Sequence, residues 1–191
     1  MMTWPFGDLR PLSYNLIMAD PPWAFRLWSS KGEAKSAQAQ YACMTIEDIK
    51  ALPVSQLARG DALLWLWCTW PLLREAIETV DAWGFKYVTG GAWAKRTRHG
   101  KAAFGTGYRL RSACEPFLIG TIGNPETTRS VRNLIDGLAR EHSRKPDEAF
   151  ALAEQLMPDA YRVELFSRQR RPGWDQWGNQ TDAFQSLEAA E

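Results

Sequence analysis

A six-residue apolar run, Tyr14 to Ala19, stops abruptly at Asp20-Pro21-Pro22-Trp23. Two successive prolines fix φ twice and remove two main-chain donors, so a sheet ladder cannot continue through them. The run therefore reads as a short buried strand whose exit is rigid and placed at its carboxyl end. A second apolar run, Ala62 to Cys68, is closed by Asp61 and Thr69 and reads the same way. Between them Thr45-Ile46-Glu47-Asp48 resembles a capping box opening a short helix, and Pro53 starts another short helical turn.

After the second strand the pattern changes period. Thr69 or Trp70 caps a helix with Pro71 near its first position. Its apolar face runs through Leu72, Ala76, Val80 and Trp83, and Gly84 ends it. Phe85 to Ala94 and Glu115 to Ile122 are predicted strands, Ser130 to Leu134 a weaker one. Pro146 to Leu156 is a helix, and Ala160 to Phe166 is the last clear strand. Arg26 to Ala42 and Lys95 to Arg111 read as long loops, which are usually functional. Strands alternating with helices predict an α/β sheet without internal repeats or a domain boundary. The expectation is one domain over residues 1–191, with an ordered core of about 5–180. Ligands of such sheets sit beyond the carboxyl ends of strands. That marks Asp20 onward, Trp67 onward and Phe166 onward.

Composition narrows the class. Of 191 residues 45% are apolar and 24% charged, a globular balance, and the net charge of +1 points to no partner. Seven residues, the longest apolar run, cannot span a bilayer. Asp8 and Arg10 stand where a signal peptide needs its apolar stretch. The expected setting is soluble and cytoplasmic, with no membrane partner. Cys43, Cys68 and Cys114 lie too far apart for a structural zinc site, and an odd number suggests no disulfide framework. His99 and His142 are too few for a histidine-rich metal site, so no metal is expected. Ten tryptophans are unusual. Some must be core, and so many flat, polar-edged rings also suit a protein that stacks on planar ligands.

The chemistry lies in the Asp-Pro-Pro-Trp tetrad. Proline carbonyls are acceptors with no neighbouring N–H of their own, held in a fixed geometry. Asp20 adds an acceptor carboxylate. An exocyclic aromatic amine has two N–H donors and a lone pair delocalised into its ring. The Asp20 carboxylate and a main-chain carbonyl near Pro21 could hold both hydrogens. The nitrogen would then be pyramidal, with its lone pair aimed at an electrophile. Such stabilisation is preorganised and electrostatic. Trp23 is expected to stack on the base ring.

With MADPPW (18–23), LWLWCT (64–69), AWGFKYV (82–88), WAKR (93–96), EPFLIG (115–120), EHSRKPDEAF (141–150), VELFSR (163–168) and RPGWDQWGNQ (171–180), the chain resembles the MT-A70 family. These are adenine N6 methyltransferases that use S-adenosylmethionine. The resemblance runs from about Pro5 to Gln180. It implies a Rossmann-like class I methyltransferase sheet in permuted order, with the catalytic motif first and the cofactor strand near the C-terminus. It implies direct displacement from sulfonium to nitrogen, without a covalent enzyme intermediate. Asp20, Pro21, Pro22 and Trp23 match the catalytic tetrad. Asp20, Lys145, Phe166, Arg168, Asn179 and Gln180 match cofactor-binding positions, the last two on the ribose hydroxyls. Tyr41, Trp67, Trp93, Lys95 and Glu115, with Trp23, match positions around the acceptor base. The cofactor's adenine is expected around Phe6 to Asp8. Gln169-Arg170-Arg171 departs from members in which His and Asn follow the arginine.

Several of these residues have plainer readings. Lys145-Pro146 is a reasonable helix start, Asn179 a reasonable turn residue, and Trp67 and Trp93 lie in apolar strands. Lys95, Arg96, Arg98, Lys101, Arg109 and Arg111, with His99, Phe104 and Tyr108, occupy a stretch without acids. Such a run is commonly a solvated face. Beside a flat-base pocket it is also the footprint of nucleic-acid binding, with a second basic stretch from Arg129 to Lys145. A duplex substrate would require base flipping, for which the long loops are suited.

The sequence is read as an adenine N6 methyltransferase of bacterial or phage type acting on nucleic acid, DNA in preference to RNA. The rival readings are an RNA methyltransferase, a non-catalytic nucleic-acid-binding subunit of the same fold, and a methyltransferase for glutamine or a small amine. The intact tetrad argues against the second and the basic stretch against the third. A homodimer or a protein partner stays open.

Overall fold

The computed structural model describes residues 4–24, 43–107, 109–141 and 143–182. Tyr41 and the whole predicted loop Arg26–Ala42 lie outside the described residues. Among the described residues seven strands form a single sheet: β1 (Tyr14–Ala19), β2 (Ala58–Trp67), β3 (Lys86–Arg96), β4 (Cys114–Ile122), β5 (Leu134–Leu138), β6 (Arg162–Leu165) and β7 (Trp174–Trp177). Their order is β5-β3-β4-β2-β1-β6-β7. β1 runs parallel to β2 and β6, β6 to β7, and β3 to β5, whereas β4 is antiparallel to both β2 and β3. The carboxyl ends of six strands and the amino end of β4 thus share one edge. This mixed sheet with a few helices is the Rossmann-like arrangement that the sequence led one to expect.

Among the described residues three α-helices cover the sheet: α1 (Ile46–Lys50), α2 (Leu73–Ala82) and α3 (Asp147–Leu156). Alternation along the strands explains the continuous apolar runs. Ile17 and Ala19 of β1, with Leu64 and Leu66 of β2, pack with Ile49, Ala76, Val80 and Trp83 on the side of α1 and α2. Leu16, Met18, Leu63, Trp65 and Trp67 point the other way, against Ala149, Phe150 and Ala153 of α3. Strands buried on both faces have no polar register, so their sequences show no alternation. Trp65 stacks on Phe117 with ring centroids 4.1 Å apart, worth about 1 kcal/mol beyond its area.

The capping reading at Thr45 holds. Its Oγ1 accepts from the Asp48 N–H at 3.1 Å. The α2 face is also as expected, with Leu72, Ala76, Val80 and Trp83 all buried. It begins as a 3₁₀ turn, Trp70–Leu72, before becoming α-helical. Gly84 takes φ +79°, which suits glycine at a helix end.

Three strand expectations are corrected. The strand placed at Ser130–Leu134 lies at Leu134–Leu138. It is an edge strand whose Ile135 and Gly137 face inward while Leu134, Asp136 and Leu138 are exposed, so its apolar signal is weak. β3 continues through Lys95 and Arg96, which shortens the loop expected from Lys95. β7 was not expected. Asp175 and Gln176 interrupt its apolar pattern, and it pairs only with β6.

Candidate active site

The exit of β1 is pinned at several points. The Asp20 N–H donates to the Leu165 carbonyl at the end of β6, 3.3 Å. The Pro21 carbonyl accepts from the Trp23 N–H at 2.8 Å, and the Pro22 carbonyl accepts from Met44 N–H at 3.1 Å. Each carbonyl oxygen has a second lone pair, so both keep acceptor capacity. Trp23 corrects the sequence reading. Its ring is 6% exposed within the core beside α1 and α2, and its Nε1–H donates to the Trp67 carbonyl at 3.0 Å. It anchors the turn to β2 and offers no face for a base to stack on.

Four charged side chains alternate in sign along the sheet edge. Lys145 Nζ lies 2.6 Å from Asp20 Oδ2 and 2.9 Å from Glu115 Oε1. Lys95 Nζ lies 2.6 Å from Glu115 Oε2. Trp67 and Trp93 are buried beneath this row. Lys145 Nζ sits 5.4 Å from the Trp67 ring centroid, and Lys95 Nζ 4.7 Å from that of Trp93. The two carboxylates differ electrically. Burial pushes the Asp20 carboxyl above its usual range, with Lys145 opposing. Burial would raise Glu115 too, but Lys145 and Lys95 together hold it down at about 2. For Lys145, burial disfavours the charge, yet Asp20 and Glu115 outweigh that and raise its pKa.

The turn carrying Lys145 is braced from behind. Asp147 Oδ2 pairs with Arg140 at 2.7 Å and its Oδ1 with Arg171 at 2.5 Å. Arg140 Nη2 also donates to the Lys145 carbonyl at 3.1 Å. Arg171 lies over the Phe150 ring. Much of the second basic stretch is therefore internal bracing: Arg140 and Arg144 are ion-paired and Lys145 is buried.

Beyond β6, Phe166 adopts φ +62°, a left-handed conformation that costs a non-glycine residue about 1 kcal/mol or more. A small cavity there is lined by Asp20, Lys145, Glu164, Phe166 and Arg168. Glu164 is nearly buried, and burial pushes its carboxyl up to about 7 although the Ser167 hydroxyl donates to it at 2.8 Å. A second, more open cavity of about 470 Å³ lies between residues 6–9 and the end of β7. Phe6 meets Trp177 edge-on at 5.2 Å, and Phe166 meets the same ring at 5.1 Å. Gln176 Oε1 is buried without a hydrogen-bond partner among the described residues and lines this cavity. Gly178 lets β7 close on β6: a Cβ there would sit 2.5 Å from the Ser167 carbonyl oxygen.

The fold thus gathers Asp20, Pro21, Pro22, Trp67, Trp93, Lys95, Glu115, Lys145, Phe166 and Arg168 at one edge. Asn179 and Gln180 follow β7 with exposed side chains, and the second cavity is lined by Gly178 and Thr181 on either side of them. Glu164 and the Arg140–Asp147–Arg171 brace were missed by sequence reasoning. Glu164, Asp147 and Arg171 sit inside quoted motifs and Arg140 in the second basic stretch, but nothing in a linear sequence marks which charge meets which.

In the basic loop, Arg96 is held bidentately by Asp136 at 2.7 and 2.8 Å, and Lys95 by Glu115. Neither is a freely presented phosphate contact. Arg98 and Lys101 are exposed. Among the described residues no cluster of three or more metal-ligating side chains occurs, and no helix is long and apolar enough to cross a membrane.

The MT-A70 family model matches residues 14–180. The chain is similar to an N(6)-adenosine-methyltransferase MT-A70-like protein of Arabidopsis thaliana, 33% identical over 184 residues, covering 92% of this chain and 25% of that protein. It is similar to the type II methyltransferase M.MunI of Mycoplasma sp, 28% identical over 192 residues, 91% of this chain and 80% of that enzyme. The human N(6)-adenosine-methyltransferase catalytic subunit METTL3 matches at 28% over 201 residues, 97% of this chain and 32% of the relative. The chain spans a quarter to a third of the length of these adenosine methyltransferases.

Proposed function

The chain belongs to the MT-A70 family, and on that premise we propose that it transfers a methyl group from S-adenosylmethionine to the N6 amine of adenine in nucleic acid, DNA in preference to RNA. The observation that carries the reading is the Asp20 carboxylate, fixed by Lys145 beside the Pro21 and Pro22 carbonyls, at a sheet edge flanked by two cavities.

The residues present fit the cofactor. The 470 Å³ cavity is within the usual range for a small-molecule site. Its aromatic walls, Phe6 and Trp177, suit a flat purine, and the buried Gln176 oxygen suits an amino donor. Asn179 and Gln180, at its mouth, each offer an amide with donors and an acceptor for ribose hydroxyls. The smaller cavity, lined by Asp20 and Glu164 as well as Arg144, Lys145, Arg168 and Arg171, carries both signs of charge and suits the zwitterionic amino-acid end. When bound, the cofactor supplies an electrophilic methyl group on a positively charged sulfur.

This chain's own residues orient the acceptor. With Oδ2 on Lys145, the carboxylate cannot rotate freely, and an amine hydrogen takes Oδ1. The second hydrogen takes the spare lone pair of a proline carbonyl. Methylation leaves one proton to be lost from nitrogen. Of the two carboxylates on Lys145, Asp20 is suited to accept it, because its pKa lies above the usual range while Glu115 is held at about 2. Trp67 and Trp93 keep water from beneath the charged row.

The match to the type II methyltransferase M.MunI over most of both chains favours DNA, and the exposed Arg98 and Lys101 suit a phosphate backbone of either kind. The names of the 33% identical relatives favour RNA as the second reading. No disulfide joins Cys43, Cys68 and Cys114, which suits a reducing cytoplasm, the proposed setting. The test is transfer of a labelled methyl group to duplex DNA, single-stranded DNA and RNA, followed by nucleoside analysis. N6-methyldeoxyadenosine supports the proposal, and N6-methyladenosine alone moves the substrate to RNA. No transfer, with no binding of S-adenosylmethionine by calorimetry, leaves the non-catalytic subunit reading. Mapping modified bases after expression in a methylation-free host then gives the recognition sequence.

A further inference from the structure

The segment between β3 and β4 carries an unusual surface. Leu110 and Phe104 are 85% and 81% exposed, the two most exposed large apolar side chains among the described residues. Arg98, Lys101, Arg109 and Arg111 belong to the same segment, and residues 97–113 contain no acid. The Arg111 guanidinium lies 5.4 Å from the Phe104 ring centroid. Two exposed apolar tips on a segment rich in cations and free of acids match neither a solvated loop nor an apolar protein contact. They match a polyanion whose interior is apolar.

The loop is also built to hold its shape. The Ala103 N–H donates to the Lys95 carbonyl, Gly105 N–H to Ser112, and Arg111 Nη1 to the Gly107 carbonyl. Gly107 is packed so closely that a Cβ would stand 1.6 Å from the Leu110 carbonyl oxygen. Phe104 directly follows the residue bonded to Lys95. Lys95 in turn holds Glu115, which shares Lys145 with Asp20. The exposed ring and the acceptor site are therefore carried on the same strand end.

We propose that Phe104 and Leu110 form a wedge that enters stacked duplex DNA beside the target adenine, fills the space the adenine leaves, and holds the base out toward Asp20. The identity of the base rests on the reading above. So does its delivery to Asp20, whereas insertion of the two side chains into a stacked duplex is measurable without turnover. Reaching an amine inside a duplex requires unstacking, and apolar side chains inserted between base steps are a known way to stabilise the opened form. The flanking cations would fix the backbone on either side.

The experiment uses the full chain and its Phe104→Ala/Leu110→Ala variant, whose substitutions are at exposed positions. The first arm needs no turnover. A duplex carrying 2-aminopurine at the mapped site, or beside adenines in a mixed-sequence duplex, brightens when the base is unstacked. Wild type should brighten it at saturation. The variant should bind within about threefold as tightly but give little brightening. The second arm compares methylation of matched duplex, the same duplex with the target adenine mispaired, and the single strand. The variant should lose at least tenfold in kcat/KM on matched duplex, less on the mispaired one, and under twofold on the single strand. No brightening with wild type, equal loss on duplex and single strand, or full activity on duplex would each overturn the wedge. A change of sedimentation in the variant with unchanged DNA opening would also overturn it and make the loop a protein contact. Brightening by wild type without methyl transfer would uphold the wedge and count against the methyltransferase reading alone.

Discussion

Lys145 Nζ lies 2.6 Å from Asp20 Oδ2 although 125 residues separate the two in the chain. The pair joins the exit of β1 to the turn before α3, and Glu115 on the far side of the ammonium joins both to β4. The catalytic proposal depends on this junction.

Replacing Asp20 tests the chemistry directly. Asp20→Ala removes a charge-assisted acceptor worth about 3 kcal/mol or more in the transition state. Turnover should fall by at least a hundredfold. Lys145 keeps Glu115 as a partner, so thermal unfolding should stay cooperative. Asp20→Asn keeps the shape but presents an amide with its own donors, and should be severely impaired too. Near-normal methylation by either variant would remove Asp20 from the mechanism.

Two carboxylates should shape stability with opposite sign. Glu164 is raised to about 7 from an unfolded value near 4.5. The folded state binds its proton more tightly, so stability falls as pH rises from about 4.5 to about 7, by about 3 kcal/mol at most. Glu115 is depressed to about 2. Its contribution is present above about 4.5 and is lost as pH falls toward about 2. Urea unfolding across pH should show Glu164→Gln flattening the neutral side and Glu115→Gln the acid side. An unchanged slope between pH 4.5 and 7 in Glu164→Gln would refute the first assignment.

Charge on the β3–β4 loop should separate by partner. Arg98→Gln and Lys101→Gln should each reduce the slope of log binding constant against log salt by roughly 0.9 on duplex DNA. Arg96→Gln should change that slope little, because Asp136 already holds the guanidinium. Titrations at several salt concentrations decide it. Equal slope losses at all three positions would mean that the Arg96–Asp136 pair opens on binding.

Asn179 and Gln180 carry the ribose assignment. Each lost hydrogen bond costs about 1 kcal/mol, more where a partner stays buried. Asn179→Ala/Gln180→Ala should raise the dissociation constant for S-adenosylmethionine roughly ten- to hundredfold. Affinity for DNA should hardly move. Unchanged calorimetric affinity for the cofactor would assign the ribose contacts elsewhere, with Gln176 and Asp8 the next residues to vary.

The sequence by itself determined what local chemistry can specify. Pro21 and Pro22 ended β1 at a residue visible in the text, Gly84 ended α2, and unbroken apolar runs marked strands covered on both faces. The tetrad and its companion motifs marked the edge where chemistry belongs. Partnership was decided only by the tertiary structure, because it depends on pairing between elements far apart in the chain. Trp23 reads equally well as a stacking ring or an anchor until the Trp67 carbonyl stands 3.0 Å from its Nε1. Arg96 reads as a free cation until β5 brings Asp136 alongside. β5 and β7 are edge strands, whose half-exposed side chains carry little periodic signal. Asp20 and Glu115 are both plain carboxylates in the sequence. The fold gives Glu115 two lysines and Asp20 one, and that difference in buried neighbours sets one low and leaves the other raised.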